Sequence, residues 1–303
     1  YARESAPAFA RSAVDGYAII ARDSFGACES MPMFFNVIGE VEMGKETGFV
    51  VRTGQAVKIH TGGMLPINAN CVVMLENTES ISVDEIQITK SCAINENVIL
   101  RGEDILEGDI ILPEGSMINE AVIGGCLAQG IHQVRVVRKI KVGIVSSGDE
   151  LIDPKLSLNL GQIREINSGV LKALLIRNHA KVAFYGIIPD KLELLRHAVQ
   201  NAFQHSDMVV ITAGSSISER DNTAKVIAEL GEPGIVVHGI NIKPGKPTIL
   251  AVCDGKPVIG LPGNPVSAFV VARLVVTASL YKLQGFINVP VNSYEKAKLT
   301  VNV

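Results

Sequence analysis

The chain has 303 residues, 47% of them hydrophobic, which suffices for about two domains of ~150 residues with large cores. Its formal net charge is −3, which argues against general nucleic-acid binding, so an anionic ligand would need local cations. No secretory signal is visible. The longest apolar stretch, residues 265–281, contains Arg273 and is shorter than the ~20 residues that span a bilayer.

The cysteines are scattered along the chain without a Cys-x-x-Cys pair. This spacing fits buried, reduced thiols of a cytoplasmic protein better than disulfides or a zinc site. The chain starts at Tyr1 without a methionine and ends abruptly at Val303, and we expect it to be a fragment that lacks sequence at both ends. The cysteines are Cys28, Cys71, Cys92, Cys126 and Cys253.

The first third of the chain has little helical periodicity and predicts a β-rich region over about residues 1–108. Strands are predicted at residues 50–59, 71–75 and 85–89, separated by Gly and Asn turns. Two loops stand out. Residues 12–18 contain Asp15 before a glycine, and residues 60–66 contain paired glycines whose N–H groups would suit an oxyanion. Both loops could equally be plain turns.

A connector is predicted over about residues 109–138. It follows a glycine-flanked acidic pair, Glu103 and Asp104, which could bind a cation, position a water or form a polar turn. Within the connector, residues 118–129 look helical and residues 134–137 look like a strand. His60 and His132 are isolated in the sequence, and each is expected to be a surface or core histidine rather than a metal ligand.

Residues 139–151 begin an α/β half. A short apolar run ends in Ser-Ser-Gly followed by Asp149 and Glu150, the pattern of a buried parallel strand. Because ligands of open α/β sheets bind beyond the carboxyl ends of the strands, the two acids are candidates for chemistry. They could also be ordinary acids of a solvated loop.

Strand and helix then alternate, which predicts a parallel sheet with helices on both faces. Further strands are predicted at residues 182–188, 208–212, 236–242 and 258–261. Three helices are expected to begin near polar caps: Asn167–Ser168, Asp190 in a capping box with Glu193, and Asp221. A fourth, long apolar helix is expected to begin at Pro265 after an Asn264 cap.

Four loops should meet at the carboxyl edge of this sheet, namely residues 147–151, 212–221, 243–247 and 261–265. They supply carboxylates, hydroxyls, backbone N–H groups and two lysines on a proline-stiffened turn. This combination suits a phosphate-bearing ligand with a divalent cation bridging it to carboxylates. Each loop alone could be an ordinary turn or helix start.

Taken together, seven segments resemble, in order, the signature segments of the molybdopterin molybdenumtransferases, the molybdenum insertases of the MoeA and gephyrin E-domain type. The match runs along nearly the whole chain. The segments are residues 12–18, 61–66, 101–105, 146–151, 213–221, 243–247 and 261–265.

The resemblance implies an enzyme that inserts molybdate-derived metal into adenylylated molybdopterin and releases AMP, with Mg²⁺ assisting. It implies a cytoplasmic homodimer whose site is shared between subunits, with no nucleic-acid or membrane partner. The fold implied is an α/β molybdopterin-binding domain at residues 139–286 after a β-rich domain and connector at residues 1–138. Residues 287–303 would begin a truncated C-terminal β-barrel.

Site residues follow from the resemblance position by position. The catalytic group is Asp15, Thr61, Asp104, Glu150, Asp190 and Asp221. Substrate would be bound by Ser147, Gly148, Gly214, Ser216, Lys243, Lys246, Pro262 and Asn264. The metal would be held by Asp190 and Asp221.

Three other interpretations stay open. Ala213 and Ser218 stand where the family has glycines, which would fit a non-catalytic or specialised molybdopterin-binding paralogue. A molybdopterin adenylyltransferase would resemble the sheet domain alone, which residues 1–138 disfavour. A scaffold of the gephyrin kind has no supporting linker or receptor-binding segment here.

Overall fold

The computed structural model describes residues 1–213 and 217–287, with the side chains of 217–220 excepted. The predicted substrate-binding residues Gly214 and Ser216, and nearly all of the predicted barrel segment 287–303, lie outside this part. The chain forms two compact units. The first unit comprises Tyr1–Glu114 and Ile118–Val134, and the second comprises Gly115–Met117 and the chain from Arg135 onward.

The first unit is built on a six-stranded sheet in the order β5-β2-β4-β3-β7-β6, in which only β3 and β4 run parallel. β1 and β8 form a separate antiparallel pair. The β-rich prediction is therefore confirmed. The elements are β1 Arg11–Ser12, β2 Gly16–Ile19, β3 Met33–Glu40, β4 Gln55–Ile59, β5 Cys71–Met74, β6 Thr78–Ser80, β7 Glu85–Ile88, β8 Val98–Ile99 and α1 Glu120–Ala128.

Apolar side chains cover both faces of this sheet. Successive residues of a strand point to opposite faces, and Val72 and Val73 accordingly belong to two different core clusters. Phe35 is the largest side chain of one cluster and Ile59 belongs to the other, both nearly without solvent exposure. Burial on two faces explains why these strands read as short continuous apolar runs.

Two strand predictions in this part of the chain need correction. The strand predicted at residues 50–59 starts only at Gln55, because a turn closed by the Gln55 N–H on the carbonyl of Arg52 (3.0 Å) precedes it. Residues 134–137 form no strand, and Val136 is 66% exposed. A β-branched sequence favours an extended backbone, but a strand also needs a partner edge.

The second unit contains a six-stranded sheet in the order β12-β9-β13-β16-β15-β14. Its strands are β9 Lys141–Ser147, β10 Leu151–Ile152, β11 Ile163–Arg164, β12 Lys181–Ile188, β13 Met208–Ala213, β14 Pro233–His238, β15 Ile249–Cys253 and β16 Lys256–Pro262, with β10 and β11 paired separately. Its helices are α2 Asn167–Arg177, α3 Leu192–His205, α4 Ile217–Ala228 and α5 Pro265–Leu283, the last with a π-helical segment at Ala272–Val276.

The predicted parallel pairing holds for β12, β9, β13 and β16. It fails for β15 and β14, which run antiparallel at one edge. Strand β15 was not predicted from the sequence. The dipeptide Asp254-Gly255 could have indicated it, because Asp-Gly is a favoured two-residue hairpin turn. In the structure both residues have the positive φ (47° and 78°) that such a turn requires.

Helices cover both faces of this sheet, as predicted. On one face α2 and α5 pack through residues such as Leu171 and Val276, and on the other α3 packs through Leu195 and Val199. By length and composition α5 could cross a bilayer, the one such helix among the described residues. Its buried residues pack on the sheet, which is the arrangement of a core helix.

The starts of three helices differ from the predicted caps. The Glu165 carboxylate, rather than Asn167 or Ser168, accepts the Ser168 N–H at 2.8 Å and caps α2. The capping box predicted for Asp190 is absent, because α3 begins at Leu192 after Lys191, which makes no side-chain cap. Asp221 lies inside α4 and therefore does not precede it as a cap.

Candidate functional site

The sheet topology of the second unit places four chain segments at one edge. The parallel strands β9, β12, β13 and β16 end there. The segment between β14 and β15 joins them, because β15 runs antiparallel to β16 and its first residue, Ile249, pairs with Gly260 near the end of β16. Residues 243–247 therefore lie at the carboxyl edge, where ligands of open α/β sheets bind.

Asp190 is fixed at the junction of β9 and β12. Its Oδ1 accepts a hydrogen bond from the hydroxyl of Ser147 at 2.8 Å, and its Oδ2 accepts the N–H of Asp149 at 3.3 Å. A second hydrogen bond joins the same two residues in the opposite direction, because Oδ1 of Asp149 accepts the N–H of Asp190 at 3.1 Å. Two carboxylates from neighbouring strand ends are thus held side by side. Ser147, predicted to bind substrate, is buried and orients Asp190.

Glu150 folds back over the turn that precedes it. A Cβ placed on Gly148 would lie 2.7 Å from its Oε2, so the carboxylate occupies the space beside the glycine. The N–H of Gly148 donates to the carbonyl of Ile188 at 3.1 Å. Gly148 therefore admits the Glu150 side chain and links two strand ends.

A buried polar network supports this edge from below. The Thr212 hydroxyl donates to the Ser146 hydroxyl at 3.1 Å, and Ser146 donates to Glu165 Oε1 at 3.1 Å. The N–H and the hydroxyl of Ser168 also donate to Glu165. Hydrogen bonds of this kind offset the cost of burying a carboxylate. No sequence pattern predicted this network, because its members lie 19 and 66 residues apart in the chain.

A pocket of about 140 Å³ opens at the ends of β13 and β16. Its lining includes residues of three of the four segments expected to meet, namely 212–221, 243–247 and 261–265. One residue of α4 also lines it. Among its lining residues are Ala213, Thr223, Pro247, Pro262, Asn264 and Ser267.

Asn264 shapes the pocket wall as the cap of α5. Its Oδ1 accepts the N–H of Val266 at 3.1 Å and that of Ser267 at 3.3 Å, and Pro265 occupies the first helical position. The carbonyl of the preceding residue, Gly263, accepts the Asn167 side-chain N–H at 2.8 Å. The predicted cap and proline start are confirmed.

We expect Asn264→Ala to lower the free energy of unfolding by about 1 kcal/mol, because two helix N–H groups lose their acceptor. Urea unfolding followed by circular dichroism measures the change. Asn264→Ser is the control, since its hydroxyl can still cap, and it should lose no more than a few tenths of a kcal/mol. Equal loss in both variants would contradict the capping role.

Lys243 and Lys246 are exposed on a turn whose backbone carbonyls are fixed by hydrogen bonds from neighbouring residues. The carbonyl of Lys246 accepts the N–H of Ile240 at 2.9 Å, and the Thr248 hydroxyl donates to the carbonyl of Gly245 at 2.7 Å. Neither ammonium forms an ion pair in the described part of the chain. The next residue, Pro247, lines the pocket, so the turn that carries the two lysines borders it.

The carboxyl edge fits a metal shared with a substrate better than a protein-only cage. No group of three or more His, Cys, Asp or Glu side chains in the described ranges could hold a metal ion. Mg²⁺ usually takes one or two protein carboxylates together with phosphate oxygens and waters. Asp190 offers a fixed carboxylate for this purpose, and Asp221 is exposed on α4.

The first unit carries a second cluster of predicted residues. Oδ1 of Asp15 accepts both the N–H of Thr61 at 2.7 Å and its hydroxyl at 3.2 Å. The Thr61 N–H, then its hydroxyl, and then the neighbouring His60 hold the pKa of the Asp15 carboxyl below its ordinary value. The carboxylate form of Asp15 is therefore favoured.

The glycine pair beside this cluster serves the fold. Gly62 donates its N–H to the carbonyl of Ser12 at 2.8 Å, and Gly63 donates to the carbonyl of His60 at 2.8 Å. The prediction that these N–H groups cradle an oxyanion is therefore wrong, because both are already satisfied within the unit. The Gly62 N–H, together with the carbonyl of Gly63 that accepts the N–H of Ser12 at 2.9 Å, ties the loops at residues 12–18 and 60–66 together.

Asp104 shares no hydrogen bond with Asp15 or Thr61 among the described residues. Its N–H donates to the carbonyl of Ala6 at 3.1 Å, and its side chain is exposed. The structure thus brings Asp15 and Thr61 into contact, and Ser147 and Asp190 into contact. It also shows that His60, expected to be isolated, contacts Asp15.

Two family models match the chain. One is described as the MoeA N-terminal region, domains I and II, and matches residues 1–130. The other is described as a probable molybdopterin binding domain and matches residues 143–282. The two matches fall on the first and second units respectively.

Curated relatives are similar over most of this chain. A putative molybdopterin biosynthesis protein of Methanocaldococcus jannaschii is 37% identical over 284 residues, which are 89% of this chain and 67% of that protein. A molybdopterin molybdenumtransferase of Staphylococcus epidermidis is 34% identical, over 92% of this chain and 66% of that protein. The chain thus spans about two thirds of the length of these relatives.

Solved structures of a Pyrococcus horikoshii MoeA molybdopterin biosynthesis protein share the fold. One is 38% identical with a TM-score of 0.77 and covers 95% of this chain and 72% of its own. Another is 32% identical with a TM-score of 0.79 and covers 96% of this chain and 71% of its own.

Proposed function

Because the chain belongs to the MoeA family of molybdopterin molybdenumtransferases, we propose that it inserts molybdate-derived metal into adenylylated molybdopterin and releases AMP. The carboxylate pair Asp149 and Asp190, held reciprocally at the same sheet edge at which the pocket opens, carries this proposal. The edge combines fixed carboxylates with cations, as binding of a phosphorylated anion requires.

The lysine turn would bind the anionic parts of the substrates. Molybdate is a dianion and the pterin carries a phosphate, so Lys243 and Lys246 can neutralise and orient both. Because the turn is fixed by the Thr248 and Ile240 hydrogen bonds, little ordering of its backbone is needed on binding.

The strand-end carboxylates would organise the phosphoanhydride. Asp190, oriented by Ser147 and Asp149, and Asp221 would hold Mg²⁺, which when bound neutralises charge on the phosphate oxygens. The Glu150 carboxylate would lie on the pterin side. Such groups act best when they are fixed before reaction, and the two hydrogen bonds to Asp190 meet that condition.

The first unit would complete the site in a homodimer. Asp15, Thr61 and Asp104 would come from the partner subunit, as the resemblance implies. The free cysteines of the described residues suit the reducing cytoplasm in which we expect the protein to act.

The function is tested by incubating the full-length protein with adenylylated molybdopterin, Mg²⁺ and molybdate or tungstate. We expect AMP release together with metal retained in the pterin. Equilibrium binding of the pterin without AMP release would contradict the proposal and favour a non-catalytic paralogue.

In this assay we expect Lys246→Ala to raise the KM about tenfold, since one charge-assisted contact of about 1.4 kcal/mol is lost. Initial rates at varied substrate concentration measure it. Lys181→Ala is the matched control, because Lys181 is exposed at the start of β12, the opposite edge of the sheet. An unchanged KM in Lys246→Ala would show that Lys246 does not bind the substrate.

A further inference from the structure

The imidazole ring of His60 lies between two carboxylates from different elements of the first unit. Its Nε2 is 2.7 Å from Oε1 of Glu40, at the end of β3, and its Nδ1 is 3.6 Å from Oδ1 of Asp15. Lys58 of β4 approaches the same Glu40 oxygen at 3.3 Å. These are the charged groups that face the ring among the described residues.

Each ring nitrogen of His60 lies near a carboxylate oxygen. A neutral imidazole has one N–H donor, whereas the imidazolium has two, and here both nitrogens face an anionic oxygen. With His60 protonated, the row Lys58, Glu40, His60, Asp15 alternates in sign and carries no net charge. With His60 neutral, the row has an excess negative charge and Asp15 loses its cationic neighbour.

Asp15 is held through one oxygen. Its Oδ1 faces the Thr61 N–H, the Thr61 hydroxyl and the His60 ring. No hydrogen bond or ion pair of Oδ2 occurs in the part of the chain that the structure describes. Contacts to one oxygen leave the second available to a ligand while the carboxylate plane is fixed.

We propose that His60, placed between Glu40 and Asp15, is a positioning residue that helps to fix the Asp15 carboxylate for the reaction. The inference rests on the proposed function, in which Asp15 belongs to the site.

A purely structural role would predict different behaviour. The side chains of His60 and Asp15 are 44% and 54% exposed, and ion pairs at such exposed positions add little stability. Loss of the ring should therefore leave the melting temperature nearly unchanged. An effect on activity without an effect on melting would separate positioning from folding.

The first test measures kcat and KM for AMP release. We expect His60→Gln to lower kcat/KM about tenfold, because the Asp15 carboxylate keeps its Thr61 hydrogen bonds but loses its contact with the ring. His60→Arg supplies a cation with several donors at this place, so it should restore activity. Wild-type kcat/KM in His60→Gln overturns the proposal.

The second test needs no turnover. The pKa of the Asp15 carboxyl, which the Thr61 N–H, the Thr61 hydroxyl and then His60 hold below its ordinary value, is measured by NMR through its carboxyl carbon. We expect His60→Gln to raise this pKa, because one of the groups that favour the carboxylate is removed. If wild-type protein releases no AMP, the proposed function fails, and this measurement alone decides whether His60 acts on Asp15. An unchanged Asp15 pKa in His60→Gln then overturns the inference.

Discussion

Replacing Asp190 with asparagine should lower kcat/KM for AMP release by about 10²- to 10³-fold, the range found when one fixed charged or polar group is removed from a reaction site. Asparagine has nearly the shape of aspartate and keeps an oxygen that can accept from Ser147. The substitution therefore removes the charge and also one of the two acceptors, because the amide nitrogen would face the N–H of Asp149. In the same assay the variant should need a higher Mg²⁺ concentration than the wild-type protein to reach half of its maximal rate.

The control for this substitution is Asp84→Asn. Asp84 is exposed between β6 and β7 of the first unit, and its carboxylate has no hydrogen bond or ion pair within the described ranges. It should leave AMP release unchanged. Wild-type kcat/KM in Asp190→Asn, with folding verified by circular dichroism, would show that the carboxylate pair does not organise the phosphoanhydride.

Replacing Gly16 with alanine should destabilise the first unit by about 3 kcal/mol, near the upper end of overpacking effects. Gly16 opens β2 and directly follows Asp15. An added Cβ would overlap the carbonyl oxygen of Val73 in the neighbouring strand β5. Since backbone cannot move aside as a flexible side chain does, β2 and β5 would have to separate.

Thermal unfolding followed by circular dichroism should show a fall of roughly 10 °C in the transition of this unit. Faster exchange of amide hydrogens in β2 and β5 would assign the loss to the first unit. Gly48→Ala is the matched control, because an added Cβ at exposed Gly48 meets no atom within 4 Å. An equal shift in both variants would contradict the steric explanation.

Sequence patterns located the ends of β9 and β16 well, whereas the strand predicted at residues 236–242 ends at His238. The run before Ser147 and the Asn264-Pro265 start of α5 were predicted where they occur, because apolar runs, caps and proline act on near neighbours in the chain. The resemblance added the family, which the family models confirm. The individual roles of the site residues stay predictions.

Predictions failed where one signal had two explanations. Asp190 fits a helix cap by spacing, yet it accepts hydrogen bonds from Ser147 and Asp149 across two strands. The Gly62 and Gly63 N–H groups fit an oxyanion cradle by composition, yet carbonyls of the same unit take them. For Asp190 and Gly62 a distant segment supplied the partner, and no local pattern specifies which segment that is, whereas the Gly63 N–H closes a local turn onto the carbonyl of His60.

By itself the sequence determined the β-rich character of the first part, the alternation of strands and helices in the second half, and the residue types available at each strand end. Only the tertiary structure decided which of these residues meet. Strand order sets β12 beside β9 and so joins Asp190 to Asp149, while the packing of β3 against β4 sets Glu40 beside His60. The physical reason is that backbone preferences are local, whereas sheet order is chosen by burial of apolar surface over the whole unit.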